Sequence, residues 1–374
     1  MPKLFEPFSL RGLTVPNRIM VSPMCQYSAL EGSASAWHFA HLGSLALSGA
    51  GLVCVEATAV TPEGRITPGD LGLYSDDNER ALRAVLEVMR AAAPVKLAIQ
   101  LSHAGRKGSS RAPWDGGKLL PPQGGGWLPE APSAVPHAEG EAAPRALRLD
   151  ELSRLRAAFA ASTERAARLG FDAIELHCAH GYLLHEFLSP VSNRRDDAYG
   201  GSLANRMRFP LEVFEAVRAA FPADRPVGVR VSATDWLEGV APESWTVENT
   251  VEFARELKRR GCDWIDVSSG GLSPLQKIAL GPGYQVPFAE IVRTETGVPT
   301  IAVGLITEPR QAEAIVEAGR ADMVALARGF LYDPRWPWHA AAALGGTVDG
   351  PRQYWRALPR EAGPIFGNLT FGQR

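Results

Sequence analysis

LSRLRAAFAASTERAARLGFDAIELHCAHGY, residues Leu152–Tyr182, holds one complete structural unit. Leu152, Leu155 and Phe159 recur at three- and four-residue spacing, which predicts an amphipathic helix from Leu152 to Leu169. Gly170 stands where a left-handed C-cap would end that helix. A strand-length run, Ala173 to His177, follows at once, and polar residues gather at its end: His177, His180 and Tyr182.

Outward from this unit the same rhythm repeats. Apolar, β-branched runs occur at Ile19 to Met24, Leu52 to Val60, Val95 to Leu101, Ala173 to His177, Pro226 to Val231, Trp264 to Ser268, Pro299 to Val303 and Asp322 to Leu326. Most are continuous rather than alternating, as strands buried on both faces of a parallel sheet must be. Between them lie helical patterns such as Glu79 to Ala92, Leu203 to Ala220, Val247 to Arg260 and Pro309 to Ala318, with Gly261 and Gly319 as further C-caps. Eight strand–helix units suit a closed barrel, and no GxGxxG follows the first strand to suggest an open dinucleotide-binding sheet. The expected fold class is α/β: a single (β/α)₈ TIM barrel spanning 1–374, with an N-terminal cap and a long loop after strand 3. That loop, Ala104 to Arg148, is rich in Gly, Pro and Trp; its position after the third strand makes a partial lid and a plain surface loop equally good readings.

Composition narrows the function. Lys plus Arg number 39 against 41 Asp plus Glu, so no net field favours nucleic acid or an anionic membrane surface. The apolar stretch Leu42 to Val55 is broken by three glycines and falls short of the about 18 residues a membrane helix needs. The start, MPKLFEPFSLRGLTVPNR, has no continuous apolar run of a secretory signal, so a cytoplasmic protein is expected. Cys25, Cys54, Cys178 and Cys262 lack CxxC spacing and read as free thiols.

In a parallel barrel the reacting groups project from the C-terminal strand ends. Here those ends carry Ser22 to Tyr27, Gln100, His177 to Tyr182, Arg230 and Ala327 to Gly329. The HxxH pair His177 and His180, followed by Tyr182, has three readings: two zinc ligands, two structural histidines, or paired donors gripping a carbonyl or phenolate oxygen while Tyr182 supplies a proton. No third ligand has a recognisable motif, and no metal is expected. Cys25 by composition is a buried apolar thiol, and Glu56, inside the second strand, reads as part of an internal salt bridge.

HCAHGYLLHEFLSPVSNRRDDAYGGSLANRMRF, from His177 to Phe209, resembles the signature stretch of the old yellow enzyme family. The resemblance extends through SPMCQY (Ser22 to Tyr27), EATAVTPEGR (Glu56 to Arg65), QLSHAGR (Gln100 to Arg106), VRVSATDW (Val229 to Trp236), VSSGG (Val267 to Gly271), AVGLI (Ala302 to Ile306) and ALARGFLYDP (Ala325 to Pro334). Cys25 and Tyr27, with histidine at both 177 and 180, resemble the bacterial xenobiotic-reductase branch.

This resemblance implies FMN as cofactor and NADPH as reductant of an α,β-unsaturated aldehyde or ketone, with quinones and nitro compounds as further acceptors. It implies that Ser22, Pro23, Met24 and Cys25 lie beside the flavin, Ala59 and Gln100 at its pyrimidine edge, Arg230 near its N1 and C2 oxygen, and Ser268, Gly304, Ala327 and Arg328 about its phosphate. His177 and His180 would bind the substrate oxygen, Tyr182 would be the acid, and Tyr27 would shape the pocket. Gln353 to Arg356 resembles a segment that in this branch sends an arginine into a neighbouring subunit's site, so residues from about 345 to 374 are expected to reach a second copy and Arg356 to be shared in a homodimer or homotetramer. The family's tryptophan shortly after that arginine is replaced by Leu358, and an ordinary surface helix end is the alternative.

Overall fold

The computed structural model describes residues 1–241, 243–367 and 369. The chain begins with a hairpin, β1 (Phe8–Leu10) antiparallel to β2 (Leu13–Val15). Strand alternation puts Leu10, Leu13 and Val15 in one buried cluster with Met20, Leu52 and Trp264 of the barrel interior, so the hairpin caps the barrel's lower end as expected.

Strand–helix units follow: β3 (Ile19–Val21), α1 (Ala36–Ala46), β4 (Leu52–Ala59), α2 (Asp76–Ala92) and β5 (Leu97–Ser102). The long connection adds the short pair β6 (Glu130–Ala131) and β7 (Arg145–Ala146) before α3 (Leu149–Arg168). Then come β8 (Ala173–Cys178), α4 (Leu183–Leu188), α5 (Leu203–Ala220), β9 (Val227–Ser232), α6 (Val247–Arg259), β10 (Trp264–Ser268), α7 (Val286–Thr296), β11 (Thr300–Ala302), α8 (Pro309–Glu317), β12 (Met323–Leu326), α9 (Arg328–Tyr332) and α10 (Trp336–Leu344). Strands β3, β4, β5, β8, β9, β10, β11 and β12 close a parallel barrel in that order, with β12 pairing back to β3.

Every residue of β4, β5, β8, β9 and β10 is buried, which is why their sequences read as unbroken apolar runs. The first and seventh strands are shorter than their apolar runs. Ser22 still donates its N–H to Leu326 O, but beyond it the chain leaves the ladder at the barrel mouth. Gly170, Gly261 and Gly319 have φ of +75°, +87° and +68°, the left-handed caps that the sequence requires. Among the described residues no helix is long and apolar enough to cross a membrane. All four cysteines are free thiols.

Candidate active site

The turn after β8 is held by the barrel rather than by its own sequence. His180 and Gly181 both have positive φ, +56° and +71°. Glycine is required at 181 because a Cβ there would lie 2.3 Å from Gly271 O, where the loop after β10 crosses it. His180 N–H donates to Ser232 Oγ at 2.9 Å, and His180 O accepts from Lys107 Nζ at 2.9 Å. Gly181 N–H donates to His185 Nδ1 at 2.9 Å, while His185 Nε2 meets Asp235 Oδ1 at 3.1 Å with both side chains fully buried. Two residues of uncommon backbone geometry are thereby fixed from β9, β10 and the loop after β5.

This turn gathers the three expected residues. The His177 ring stands edge-on to His180 at 5.2 Å and to Tyr182 at 4.9 Å between centroids. Burial holds both imidazoles well below their usual range, and Arg230 adds to the effect. They are therefore neutral donors. Burial likewise lifts the Tyr182 phenol well above its usual range, with Cys25, Tyr27 and Asp70 adding to it, so the phenol keeps its proton. The two histidines differ in one respect. His180 Nε2 lies 2.6 Å from Ser268 Oγ, and Ser268 in turn donates to Gln285 Oε1. His180 can thus reach a substrate oxygen only by giving up Ser268. Among the described residues no three His, Cys, Asp or Glu side chains form a metal-binding group.

Below the mouth, the Ser22 hydroxyl is buried without a hydrogen-bond partner. Gln100 donates Nε2–H to Glu175 Oε1 at 2.8 Å, leaving its own Oε1 as an acceptor. The Arg230 guanidinium is buried, with Nε 3.4 Å from Asp266 Oδ2. Ala59 N–H donates to Leu71 O and its carbonyl accepts from Leu73 N–H, which leaves the carbonyl's second lone pair for a ligand. At the loops after β10 to β12 stand Ser268, Gly304 at φ +115°, Ala327 and the exposed Arg328. That positive φ calls for glycine, and a Cβ there would also lie 2.6 Å from Gln285 Nε2. An unpaired buried hydroxyl, a free amide acceptor and two arginines at the strand ends fit a flat heterocycle that carries a phosphate.

Pro23 and Met24 are partly buried beside β3, and Met24 packs on the core. Burial pushes the Cys25 thiol up, so it is no thiolate at neutral pH. Tyr27, at φ +51°, faces Trp114 of the long loop at 5.5 Å, and its phenol is raised by burial. Glu56 accepts the Gln26 N–H at 2.9 Å and meets His38 Nε2 at 3.3 Å, an internal pair that ties the Ser22–Tyr27 segment down. The long loop lies over the mouth: a cavity of about 200 Å³ is lined by Tyr27, Tyr182, Lys107, Arg111 and His137.

Lys107 is the residue that the motif reading missed, one position beyond the quoted QLSHAGR. It binds His180 O and Gly271 O, lies 5.0 Å from the Tyr182 ring centre, and burial lowers its ammonium to about 8. Only its adjacency to Arg106 could have signalled it.

Arg356 does not join this group within its own chain. It lies exposed in a 3₁₀ turn, Arg352–Ala357, whose Trp355 lines a cavity of about 470 Å³ together with Gly49, Ala50, Pro94 and Val95, which precede β4 and β5 at the barrel's opposite end. Of the C-terminal stretch 345–374, residues 368 and 370–374 lie outside the described residues.

Residues 3–345 match the family described as NADH:flavin oxidoreductase / NADH oxidase. An NADPH dehydrogenase of Geobacillus thermodenitrificans is 44% identical over 355 residues, covering 94% of this chain and 98% of its own. An NADH:flavin oxidoreductase of Gibberella zeae is 45% identical over 360 residues, covering 92% and 87%. The structure of morphinone reductase in complex with tetrahydroNAD superposes with a TM-score of 0.75 at 29% identity, covering 97% of this chain and 94% of that one. A 2-naphthoyl-CoA reductase complex has a TM-score of 0.81 at 22% identity over 91% of this chain and 52% of that one, a likeness of fold alone. The chain therefore belongs to the NADH:flavin oxidoreductase / NADH oxidase family, that of the old yellow enzymes, and is an FMN-dependent oxidoreductase.

Proposed function

We propose that this enzyme uses NADPH to reduce the activated C=C bond of α,β-unsaturated aldehydes and ketones, with quinones and nitro compounds as further acceptors, in a ping-pong sequence at one mouth. The observation that carries this reading is the meeting of a neutral imidazole, His177, and a protonated phenol, Tyr182, with ring centres 4.9 Å apart. NADPH as reductant is supported by relatives named NADPH dehydrogenase.

FMN, when bound, supplies hydride to the substrate's β-carbon. Ser22, Pro23, Met24, Cys25, Ala59, Gln100 and Arg230 would hold its ring, and Ser268, Gly304, Ala327 and Arg328 its phosphate, with Arg230 as the cation against the pyrimidine edge. His177 and His180 hydrogen-bond the carbonyl oxygen, polarising the enone and stabilising the enolate charge that develops there. His180 exchanges Ser268 Oγ for that oxygen. Tyr182 holds its proton for the α-carbon, and Tyr27 shapes the pocket around the acceptor. In a homodimer or homotetramer, Arg356 of a neighbouring copy completes the site; its place at the far end of its own barrel supports a role toward another copy.

The test is anaerobic. NADPH should bleach the yellow enzyme and cyclohexenone should restore its colour. A protein that takes up no FMN, or a bleached enzyme that no enone reoxidises, would overturn the reading.

A further inference from the structure

A second cluster of ionisable groups sits inside the barrel, at the level of His177 and two residues below it, and the proposed reaction does not use its carboxyls. Glu175 on β8 and Asp266 on β10 are both fully buried, at 0% exposure. Gln100 Nε2 donates to Glu175 Oε1 at 2.8 Å, and Arg230 Nε stands 3.4 Å from Asp266 Oδ2. Both Asp266 oxygens have no hydrogen-bond partner, and the Trp264 indole N–H is turned toward Glu175. Strand register places Gln100 level with Glu175 and Gly228, and Arg230, two residues further along β9, level with both His177 and Asp266. Gly228 of β9 admits the Trp264 ring against the strand, for a Cβ there would lie 2.0 Å from it.

The other groups that face the pair carry no balancing charge. Trp264 and Gln100 are neutral, and burial with the two carboxyls pushes the Cys54 thiol of β4 well up. Two ionised carboxylates against one guanidinium would leave a net negative charge in the dry interior, where an uncompensated ion is strongly disfavoured. Burial raises both carboxyls; Asp266 adds to the rise at Glu175, and Arg230 opposes it at both. One retained proton makes the three groups together neutral and turns one carboxyl oxygen into a donor.

We propose that Glu175 and Asp266 share a single proton beneath Arg230 and act as positioning residues that set the net charge Arg230 presents to the flavin. The proposal rests on the reading that FMN lies against Arg230. With one proton on the pair, the guanidinium and pair together are neutral. Once that proton is lost at higher pH they are net negative, and any anion formed beside Arg230 is disfavoured.

The test uses the holoenzyme with the variants Glu175→Gln and Asp266→Asn. Infrared difference spectra at neutral pH should show a protonated carboxyl band in the native enzyme that both variants lose, because a lone carboxylate facing Arg230 ionises. Glu186, Asp70 and Glu56, buried carboxyls that burial also raises, are common to native enzyme and variants and cancel in the difference. The flavin midpoint potential of the native enzyme should fall more steeply on the alkaline side than that of Glu175→Gln. Superimposable infrared spectra, or parallel potential profiles in a yellow, enone-reducing enzyme, overturn this proposal alone. A protein that takes up no flavin overturns the coupling together with the functional reading.

Discussion

The His177 ring accepts the Ala179 backbone N–H at Nδ1, 3.2 Å away, which assigns the ring proton to Nε2. A neutral Nε2–H donor is thereby preset before any substrate arrives. Removing it in His177→Ala should lower kcat/KM for cyclohexenone by about 10²–10³-fold, the effect of losing one donor to a developing oxyanion. Rapid-mixing kinetics of the oxidative half-reaction measure this.

Tyr182→Phe removes the phenolic proton and keeps the ring against His177. The enone half-reaction should slow by about 10²–10⁴-fold, the range for loss of a general acid. Bleaching by NADPH should stay near the native rate, because that step needs no proton at the substrate's α-carbon. Equal slowing of both half-reactions would contradict the assignment.

Glu186 predicts a pH dependence of stability. Burial raises its carboxyl from 4.5 to about 8 against the opposing pull of Arg106 and Lys107. Between those values the native protein holds a proton that the unfolded chain has released. The contribution of this group to stability therefore falls as pH rises from about 4.5 to about 8, and is level above that. Glu186→Gln keeps an acceptor for the Arg106 N–H and removes the titration. Its unfolding free energy, from denaturant titration, should gain on the native value as pH rises, by an amount on the order of 1–4 kcal/mol across the window.

Asp235 accepts from Ser189 Oγ at 2.6 Å and Trp245 N–H at 2.9 Å while its other oxygen meets His185. An asparagine there turns an NH₂ toward one of these donors. Asp235→Asn should cost about 1–3 kcal/mol, as leaving a buried donor unsatisfied does, and denaturant titration would register it. Because His185 also clamps Gly181, the surviving folded enzyme should bind a para-substituted phenol more weakly.

The shared-arginine proposal makes a complementation prediction. Arg356→Ala and Tyr182→Phe should each reduce enone turnover. Dissociated and reassociated together, they should recover activity, since an Arg356→Ala barrel can receive Arg356 from a Tyr182→Phe copy. A mixture no more active than its parts would exclude the shared site.

Much of the framework is legible along the chain. Gly170 follows a helix whose apolar face repeats every three to four residues and precedes β8, a pattern set by local burial and backbone geometry. Helix α1 escapes this reading, because AWHFAHLGSLA is apolar around most of its circumference and shows little periodicity. The strand-end positions of His177, His180 and Tyr182 were also readable, being adjacent on one segment.

By itself, then, the amino-acid sequence determined the eight buried strands, their closure into a barrel and the end at which chemistry belongs. Only the tertiary structure decided that His180 is held at Ser268, that Lys107 grips the same turn, and that Asp266 meets Arg230 with Glu175 buried two residues below that level. These partners lie 88, 73 and 36 residues apart for His180–Ser268, Lys107–His180 and Arg230–Asp266. Periodicity records which face a residue buries; closing the barrel sets which strand lies beside it, and so which charge or hydrogen bond it meets.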